Sequence, residues 1–150
     1  MVMPNDPLVN AQWHFSLIGN ISRIWDEYTG QGVSVVVYDD GVECTHADLA
    51  GNYDASQHFR NDGVTYDAMP IDADDSHGTA CAGLIGSVGN NSQGGAGVAW
   101  DATLTGVNWL NDIQSRSPEI IDAAMGGAVR HHVRQLGPVA TLHAQPVIGT

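Results

Sequence analysis

Lysine is absent from this sequence of 150 residues, and its basic residues, histidine aside, are five arginines. These arginines are opposed by 17 Asp and Glu residues, so the formal net charge at pH 7 is -12. A protein that follows a nucleic-acid backbone uses clustered Lys and Arg to neutralise phosphates. The composition therefore argues against a nucleic-acid partner and favours partners that carry basic groups or calcium.

Cysteine is also scarce, and long apolar runs are missing. Cys44 and Cys81 are too few for a disulfide framework, so we expect buried free thiols. Residues 1–12 lack the basic region followed by an apolar stretch that marks a secretory signal. No apolar run approaches the length of about 20 residues that spans a bilayer. We therefore expect neither a signal peptide nor a membrane segment within these 150 residues.

The acidic residues are concentrated before residue 116. Only Glu119 and Asp122 follow that point, whereas three of the five arginines lie at residue 116 or later. With 43% hydrophobic residues and 18 glycines, the chain has the composition of a folded domain with many turns. The change of charge suggests that the last residues differ in origin from the rest.

The order of apolar runs and turn residues predicts an α/β fold. A β-branched run over 32–38 has apolar residues on both faces, which is typical of a central parallel strand covered by helices. The other predicted elements are, in chain order, a short helix over 20–28, an irregular segment over 50–75, a helix over 77–86, a Gly- and Asn-rich loop over 88–97 and a strand over 102–107. Strand, helix and strand in this order indicate crossover connections.

Two residues at the ends of these elements are placed to carry chemistry. Asp39 follows the apolar run directly, at the edge where α/β proteins gather ligands and catalytic groups. Taken alone, Asp39-Asp40-Gly41 also fits a simple turn, and His77 at a helix start also fits a structural histidine. Together, Asp39 and His77 supply two members of an Asp, His, Ser relay in the chain order of subtilisin.

Longer segments around both residues resemble subtilisin-like serine proteases. Residues 35–49, VVVYDDGVECTHADL, resemble the aspartate segment of that family, and residues 75–83, DSHGTACAG, resemble its histidine segment. The paired aspartates, the Cys in the histidine segment and the start over 6–14, DPLVNAQWH, are similar to the kexin and furin branch, the proprotein convertases. The resemblance covers residues 5–112. It implies the N-terminal portion of a subtilisin-like α/β domain, an incomplete parallel sheet flanked by helices.

The resemblance implies a role for four side chains. His77 would take a proton from a nucleophilic serine, and Asp39 would orient the His77 imidazole. Asp40 and Asp74 match positions that face the substrate and favour a basic residue beside the cleavage point. For Asp74 the alternative is a place in a solvated acidic loop. The implied partner is a protein or peptide substrate with basic residues at the cleavage site.

The resemblance also implies a calcium site. The matching residues are Asp6 and Asp48, which would offer carboxylates, Asn91, which would offer its side-chain oxygen, and Val88, Gln93 and Gly95, which would offer backbone carbonyls. Ca²⁺ selects hard oxygen ligands of both kinds, and two carboxylates match its charge. The alternative is a glycine-rich loop without a metal.

One member of the relay is not found in the sequence. No serine after His77 lies in a Gly-Thr-Ser segment of the kind that carries the family's nucleophile. The implied function is a calcium-dependent, kexin-like serine endopeptidase that cleaves after basic residues, and this chain alone is expected to be inactive. The alternative is a non-catalytic fragment or a calcium-binding module. For the parent protein the resemblance implies secretion or the secretory pathway.

The end of the chain departs from the family. Residues 113–133 fit a divergent helical continuation, which Gly126 and Gly127 should weaken, and the family pattern places a strand after it. Residues 134–150 resemble nothing in the family. Our hypothesis is that they form an unassigned tail, read out of frame or derived from unrelated sequence.

Overall fold

The computed structural model describes the backbone of residues 3–135 and 140–143 and the side chains of residues 3–126. Its helices are α1 (His14–Ile18), α2 (Ile21–Trp25), α3 (His77–Gly86) and α4 (Pro118–Gln135), and its strands are β1 (Ser34–Asp39), β2 (Arg60–Asn61), β3 (Val64–Thr65), β4 (Thr103–Asn108) and β5 (Ala140–His143). Single 3₁₀ turns lie at Val9–Ala11, Ala55–Gln57 and Ile113–Ser115. In the described part of the chain, no helix is both long and apolar enough to cross a membrane.

The main sheet has three parallel strands in the order β4, β1, β5. Its central strand, β1, is rich in valine, whose branched side chain favours extended backbone and packs well on a pleated surface. Asp39 pairs with Asn108, so the carboxyl ends of β1 and β4 lie side by side. The predicted strands over 32–38 and 102–107 are confirmed, and so is the parallel α/β class.

Helices cover both faces of this sheet. Val37 packs with Leu104 and with Ala82 of α3, whereas Val36 packs with Ala124 of α4. Neighbouring residues of a strand point to opposite faces, so α3 and α4 lie on opposite sides of β1. Burial on both faces explains why the predicted strand lacks the apolar and polar alternation of a half-exposed sheet. Helix α3 is thereby held against the strand that ends at Asp39.

An aromatic cluster packs the first two helices against the rest of the chain. Trp25 stacks on Trp100 with ring centroids 4.8 Å apart and meets Phe15 edge-on at 5.1 Å. The Trp25 indole N–H donates to the backbone oxygen of Val98 at 2.8 Å. Because its one polar group is satisfied, Trp25 can be buried at little electrostatic cost.

Two predicted elements differ from the structure in detail. The helix predicted over 20–28 is confined to Ile21–Trp25; a turn follows at Asp26 and Glu27, and Gly30 and Gly32, both at positive φ, lie between it and β1. The segment over 50–75 is largely irregular, as predicted, but it contains the β2–β3 hairpin. Asp62 and Gly63 form its turn at φ values of 48° and 80°, a conformation that Asp and Gly tolerate better than most residues.

The last described elements lie where the sequence offered least guidance. α4 continues to Gln135, so Gly126 and Gly127 do not end it. The strand expected after this helix is present as β5, which pairs in parallel with β1 on the side away from β4. The proposed tail over 134–150 therefore contains a strand of the main sheet. Its other residues, 136–139 and 144–150, lie outside the described residues, and the origin of the tail stays a hypothesis.

Candidate active site

The parallel crossover brings Asp39 and His77 into contact. Asp39 is the last residue of β1 and is 2% exposed, and His77 is the first residue of α3. His77 Nδ1 lies 2.9 Å from Oδ1 and 2.8 Å from Oδ2 of Asp39. The two residues are 38 positions apart in the chain, so the contact depends on α3 packing back onto β1. The structure thus brings together the two predicted catalytic residues.

This contact defines which ring nitrogen of His77 is free to react. A carboxylate accepts hydrogen bonds, so the proton of the neutral imidazole is assigned to Nδ1. Nε2 is then the acceptor, and the His77 side chain is 66% exposed. The pair consequently presents a proton-accepting nitrogen to solvent, on a ring held in one tautomer by a buried carboxylate.

Asp39 is itself held by backbone groups. Its Oδ1 accepts the backbone N–H of Asp40 at 2.8 Å. Its backbone oxygen accepts the N–H groups of Trp109 at 2.7 Å and Leu110 at 3.1 Å, just beyond β4. These contacts fix both the main chain and the carboxylate of Asp39, so the imidazole of His77 meets a rigid partner.

The two predicted substrate-facing aspartates have different surroundings. Asp40 is half-buried, and its carboxylate accepts the backbone N–H groups of His77 at 3.0 Å and Gly78 at 2.7 Å. Asp74 is exposed on the loop that leads into α3. The neighbouring Asp75 closes this loop by accepting the N–H groups of Ile71 and Asp72 at 3.1 and 2.8 Å. The structure therefore brings Asp40 to His77 and leaves Asp74 at the surface nearby.

Cys81 is a member of this cluster that sequence reasoning did not assign to it. Its Sγ lies 3.7 Å from Nδ1 and 3.9 Å from Nε2 of His77. Burial raises the pKa of the Cys81 thiol, and the negative charges of Asp39 and Asp40 raise it further. The available signal was the spacing of four residues, which places His77 and Cys81 on one face of a helix. Both cysteines are free thiols, as predicted, but the expectation that they are buried is wrong, since each is half-buried.

The residues predicted to bind calcium also come together. Asp6 is 4% exposed and accepts the backbone N–H groups of Asn90, Asn91 and Ser92 at 2.8 to 3.0 Å. Asp48 is 6% exposed and accepts the side-chain amide of Asn91 at 2.8 Å and the N–H of Gly95 at 3.1 Å. The loop over 88–97 is thus wrapped around two carboxylates, one from each side of β1 in the chain.

The remaining predicted ligands belong to the same loop. The backbone N–H of Val88 donates to the backbone oxygen of Asp48 at 2.9 Å. The N–H of Gln93 donates to the side-chain oxygen of Asn91 at 2.8 Å. Left-handed backbone at Asn90, Ser92 and Gly94 gives the loop its tight curvature.

The oxygen atoms of this loop and of Asp6 and Asp48 are of the kind that a hard divalent cation binds. The groups that contact Asp6 and Asp48 are neutral N–H donors, so two negative charges are buried without a positive partner in these contacts. Uncompensated buried carboxylates are costly, and an oxygen-coordinated cation would remove that cost. Asn91 turns its amide nitrogen toward Asp48, so as a ligand it would present the other end of the same amide.

Comparisons with known proteins point to one protease family. The model of the subtilase family matches residues 30–135, well over half of the chain. Furin of Bos taurus is 40% identical over 116 residues, which are 72% of this chain and 15% of furin. Neuroendocrine convertase 2 of Homo sapiens is 35% identical over 134 residues, which are 80% of this chain and 21% of the convertase. The chain thus spans only 15% to 21% of the length of these relatives.

Solved structures agree with the sequence comparison. A serine protease of Aeromonas sobria matches with a TM-score of 0.68 at 30% identity, over 84% of this chain and 24% of that chain. A protease of Pseudoalteromonas arctica matches with a TM-score of 0.55 at 34% identity, over 71% of this chain and 38% of that chain. The predicted subtilisin-like fold is confirmed. With a matching family model, convertase relatives and the fold of subtilisin-like proteases, the chain belongs to the subtilase family.

Proposed function

We propose that this chain supplies the general base and its orienting carboxylate to a serine endopeptidase. The observation that carries the proposal is the contact of His77 Nδ1 with both oxygens of the buried Asp39 carboxylate, at 2.9 and 2.8 Å. Such a contact keeps the proton on Nδ1 and leaves Nε2 free to accept another. Membership of the subtilase family supports the same assignment.

In the proposed reaction, His77 moves a proton twice. Nε2 takes the proton of a serine hydroxyl as that oxygen attacks the substrate carbonyl, and later returns it to the leaving amine. Asp39 stays ionised and stabilises the imidazolium that forms between these steps. Because Asp39 is 2% exposed, its attraction to the imidazolium is only weakly screened by water.

The serine itself is not among the residues that match the relay, so the 150-residue chain by itself should be inactive. In subtilisin, a member of the same family, removal of the serine lowers kcat by about 2 × 10⁶. We expect no measurable hydrolysis of an Arg-Arg fluorogenic peptide by the purified chain. A reproducible rate that disappears in His77→Ala would contradict this expectation.

We further propose that the substrate is a protein or peptide with basic residues at the cleavage site. Asp74 is exposed and lies just before His77 in the sequence. Asp40 is half-buried and contacts the backbone of His77. Carboxylates beside a catalytic base attract Lys and Arg and repel acidic peptides. The chain's formal charge of -12 strengthens this preference at long range.

The base and orienter roles can be tested in an active background. We suggest a chimaera in which residues 5–112 replace the matching segment of bovine furin, assayed on peptides with Arg-Arg or Ala-Ala before the cleaved bond. Cleavage of the Arg-Arg peptide is expected, with near-complete loss in His77→Ala and Asp39→Asn. The matched control is Asp62→Asn, an exposed carboxylate in the β2–β3 turn. Equal activity of His77→Ala and the control would refute the proposal.

We also propose that the loop over 88–97 and the two buried aspartates hold Ca²⁺. The ligands would be the carboxylates of Asp6 and Asp48, the side-chain oxygen of Asn91 and the carbonyls of Val88, Gln93 and Gly95. When bound, the ion would neutralise both carboxylates and tie the N-terminal residues to the loop after α3. A requirement for millimolar Ca²⁺ would suit a secreted or secretory-pathway parent protein, the compartment that we propose.

Calcium binding is testable on the chain as it stands. A ligand at 100 times its Kd raises the free energy of unfolding by about 2.7 kcal/mol, so Ca²⁺ should raise Tm relative to EDTA and Mg²⁺. Asp48→Asn should abolish the rise, and Asp62→Asn should retain it. If all three proteins melt identically with and without Ca²⁺, the site does not bind calcium.

A calcium-binding module without catalytic activity is the second candidate function. It is favoured by the same buried pair, Asp6 and Asp48, because all of the proposed calcium ligands lie within the described residues. The two candidates separate cleanly, because a calcium-induced rise in Tm together with an inactive chimaera would support the module alone.

A further inference from the structure

Helix α3 begins without a cap from its own segment. The first N–H groups of an α-helix have no partner within the helix and are normally satisfied by a side chain at the N-cap. The N-cap residue of α3 is Ser76, and its side chain makes no capping hydrogen bond. The catalytic candidate His77 is therefore the first residue of a helix that needs a partner from elsewhere in the fold.

Asp40 provides that partner from 37 residues away. Its Oδ2 accepts the N–H of His77 at 3.0 Å, and its Oδ1 accepts the N–H of Gly78 at 2.7 Å. One carboxylate thus satisfies the first two donors of α3. Its negative charge also lies at the positive end of the helix dipole.

The contact joins the end of β1 to the start of α3 at two adjacent points. Asp39 binds the imidazole of His77, and the next residue, Asp40, binds the backbone of the same histidine. The N–H of Asp40 also donates to Asp39 Oδ1 at 2.8 Å. A residue held by both backbone and ring has little freedom to rotate, so the direction of Nε2 depends on both aspartates.

Close packing reinforces this arrangement. Gly78 is buried, and a Cβ at that position would lie 2.3 Å from the backbone oxygen of Gly41 and 3.1 Å from Asp40 Oδ1. The absence of a side chain lets the first turn of α3 approach the residues after β1 closely enough for Asp40 to reach its N–H groups.

We propose that Asp40 is a positioning residue: its carboxylate caps α3 and fixes the backbone of His77, so that the imidazole meets Asp39 with Nε2 outward. This role rests on the proposed function, in which His77 is the general base. It is separate from contact with a basic substrate residue, because both Asp40 oxygens act here on the protein's own backbone. Each carboxylate oxygen has a second lone pair, so the two roles are compatible.

NMR spectroscopy of the ¹⁵N-labelled 150-residue chain can test this role without substrate. The readouts are the low-field Nδ1 proton of His77, the ¹⁵N shifts of its ring, and exchange of the His77 and Gly78 amides. Asp40→Ala removes both acceptor oxygens, and Asp40→Asn retains one. Asp74→Asn is the matched control, since it removes the same charge just before α3, whereas the N–H groups of His77 and Gly78 donate to Asp40.

In Asp40→Ala the Nδ1 proton signal should broaden or vanish, and exchange of the two amides should accelerate about fivefold, the effect of losing one helix cap. Asp40→Asn should give an intermediate result, and Asp74→Asn should match the wild type. Protection of the Val36 amide in β1 checks that each variant is folded. If Asp40→Ala does not fold, Asp40→Asn decides the question.

Retention of the wild-type Nδ1 signal and of wild-type amide exchange in folded Asp40 variants would overturn the proposal. So would equal changes in Asp40→Asn and Asp74→Asn, since these would reflect charge alone. Failure of the proposed function would look different: the chimaera would be inactive, while the effect of Asp40 on the His77 ring would persist.

Discussion

Replacing Gly78 with alanine tests how tightly α3 and β1 must approach. A Cβ on Gly78 would lie 2.3 Å from the Gly41 backbone oxygen and 2.7 Å from Asp39 Cβ. No side-chain rotation relieves the clash with a backbone oxygen, so α3 must shift away from the end of β1. Overpacking of this kind typically costs 1–3 kcal/mol. Alanine recovers about 1 kcal/mol of helix propensity, so we expect a net destabilisation of about 0–2 kcal/mol in Gly78→Ala.

The same helix contains a matched control. A Cβ on Gly83 would have Ser87 Oγ, at 3.9 Å, as its one near neighbour among described atoms outside the local helix backbone. That distance is an ordinary van der Waals contact, so Gly83→Ala should gain about 0.5–1 kcal/mol from reduced backbone entropy. The two substitutions are chemically identical, yet their free energies of unfolding should differ by roughly 1–3 kcal/mol, because the gain in helix propensity is common to both and only Gly78→Ala is overpacked.

Urea denaturation followed by tryptophan fluorescence measures this difference, since Trp25 and Trp100 are buried in the core. One-dimensional NMR of the His77 ring in the same samples reports on the active-site geometry. Gly78→Ala should shift the His77 ring signals, whereas Gly83→Ala should leave them in place. The reasoning fails if Gly78→Ala is as stable as Gly83→Ala with unchanged His77 signals, because the close approach would then carry no energetic consequence.

Three further predictions follow from half-buried or buried polar groups. Burial lowers the pKa of His58, whose Nε2 lies 2.9 Å from Tyr53 Oη. Because the folded state favours the neutral ring, the free energy of unfolding should fall as pH drops below about 6.5. In urea titrations, His58→Gln should remove that part of the decline. In a Cys44→Ser background, the raised pKa of Cys81 should make its alkylation by iodoacetamide slow at neutral pH and faster with rising pH, and the signal should vanish when Cys81 is also replaced by Ser. Asn52 donates through its amide to the backbone oxygens of Gly86, at 2.9 Å, and of Trp100; Asn52→Ala should cost about 1–3 kcal/mol in urea denaturation because these acceptors lose their partner.

The central part of the fold was predictable because its signals are local. A valine run with apolar residues on both faces predicts a buried strand wherever it occurs. The small-residue segment over 77–86 coincides with α3, residue for residue, because no glycine in it requires a left-handed backbone. By contrast, the helix predicted over 20–28 ends at Trp25, and the positive φ values of Gly30 and Gly32 beyond it depend on where the chain must go next.

The sequence predicted which residues form the candidate site, but not all of the contacts that they make. Placing Asp39 at a strand end and His77 at a helix start required only the sequence pattern and the family resemblance. The proximity of Cys81 to His77 follows from their spacing once residues 77–86 are helical, whereas the contact of His77 with Asp39 depended on α3 packing back onto β1. Likewise, β5 pairs with β1 although its sequence resembles nothing in the family, because strand pairing is made by backbone groups that every residue carries.

What the sequence determined by itself is chemical: the order of strand, helix and strand, the identity of the Asp and His pair, and an acidic, lysine-free composition. What only the tertiary structure decided is which backbone groups those side chains meet. The family resemblance predicts that Asp40 faces the substrate, yet in the fold both of its carboxylate oxygens accept hydrogen bonds from the start of α3. The reason is physical, since the free N–H groups at a helix start donate to any acceptor within about 3 Å, and folding determines which acceptor that is.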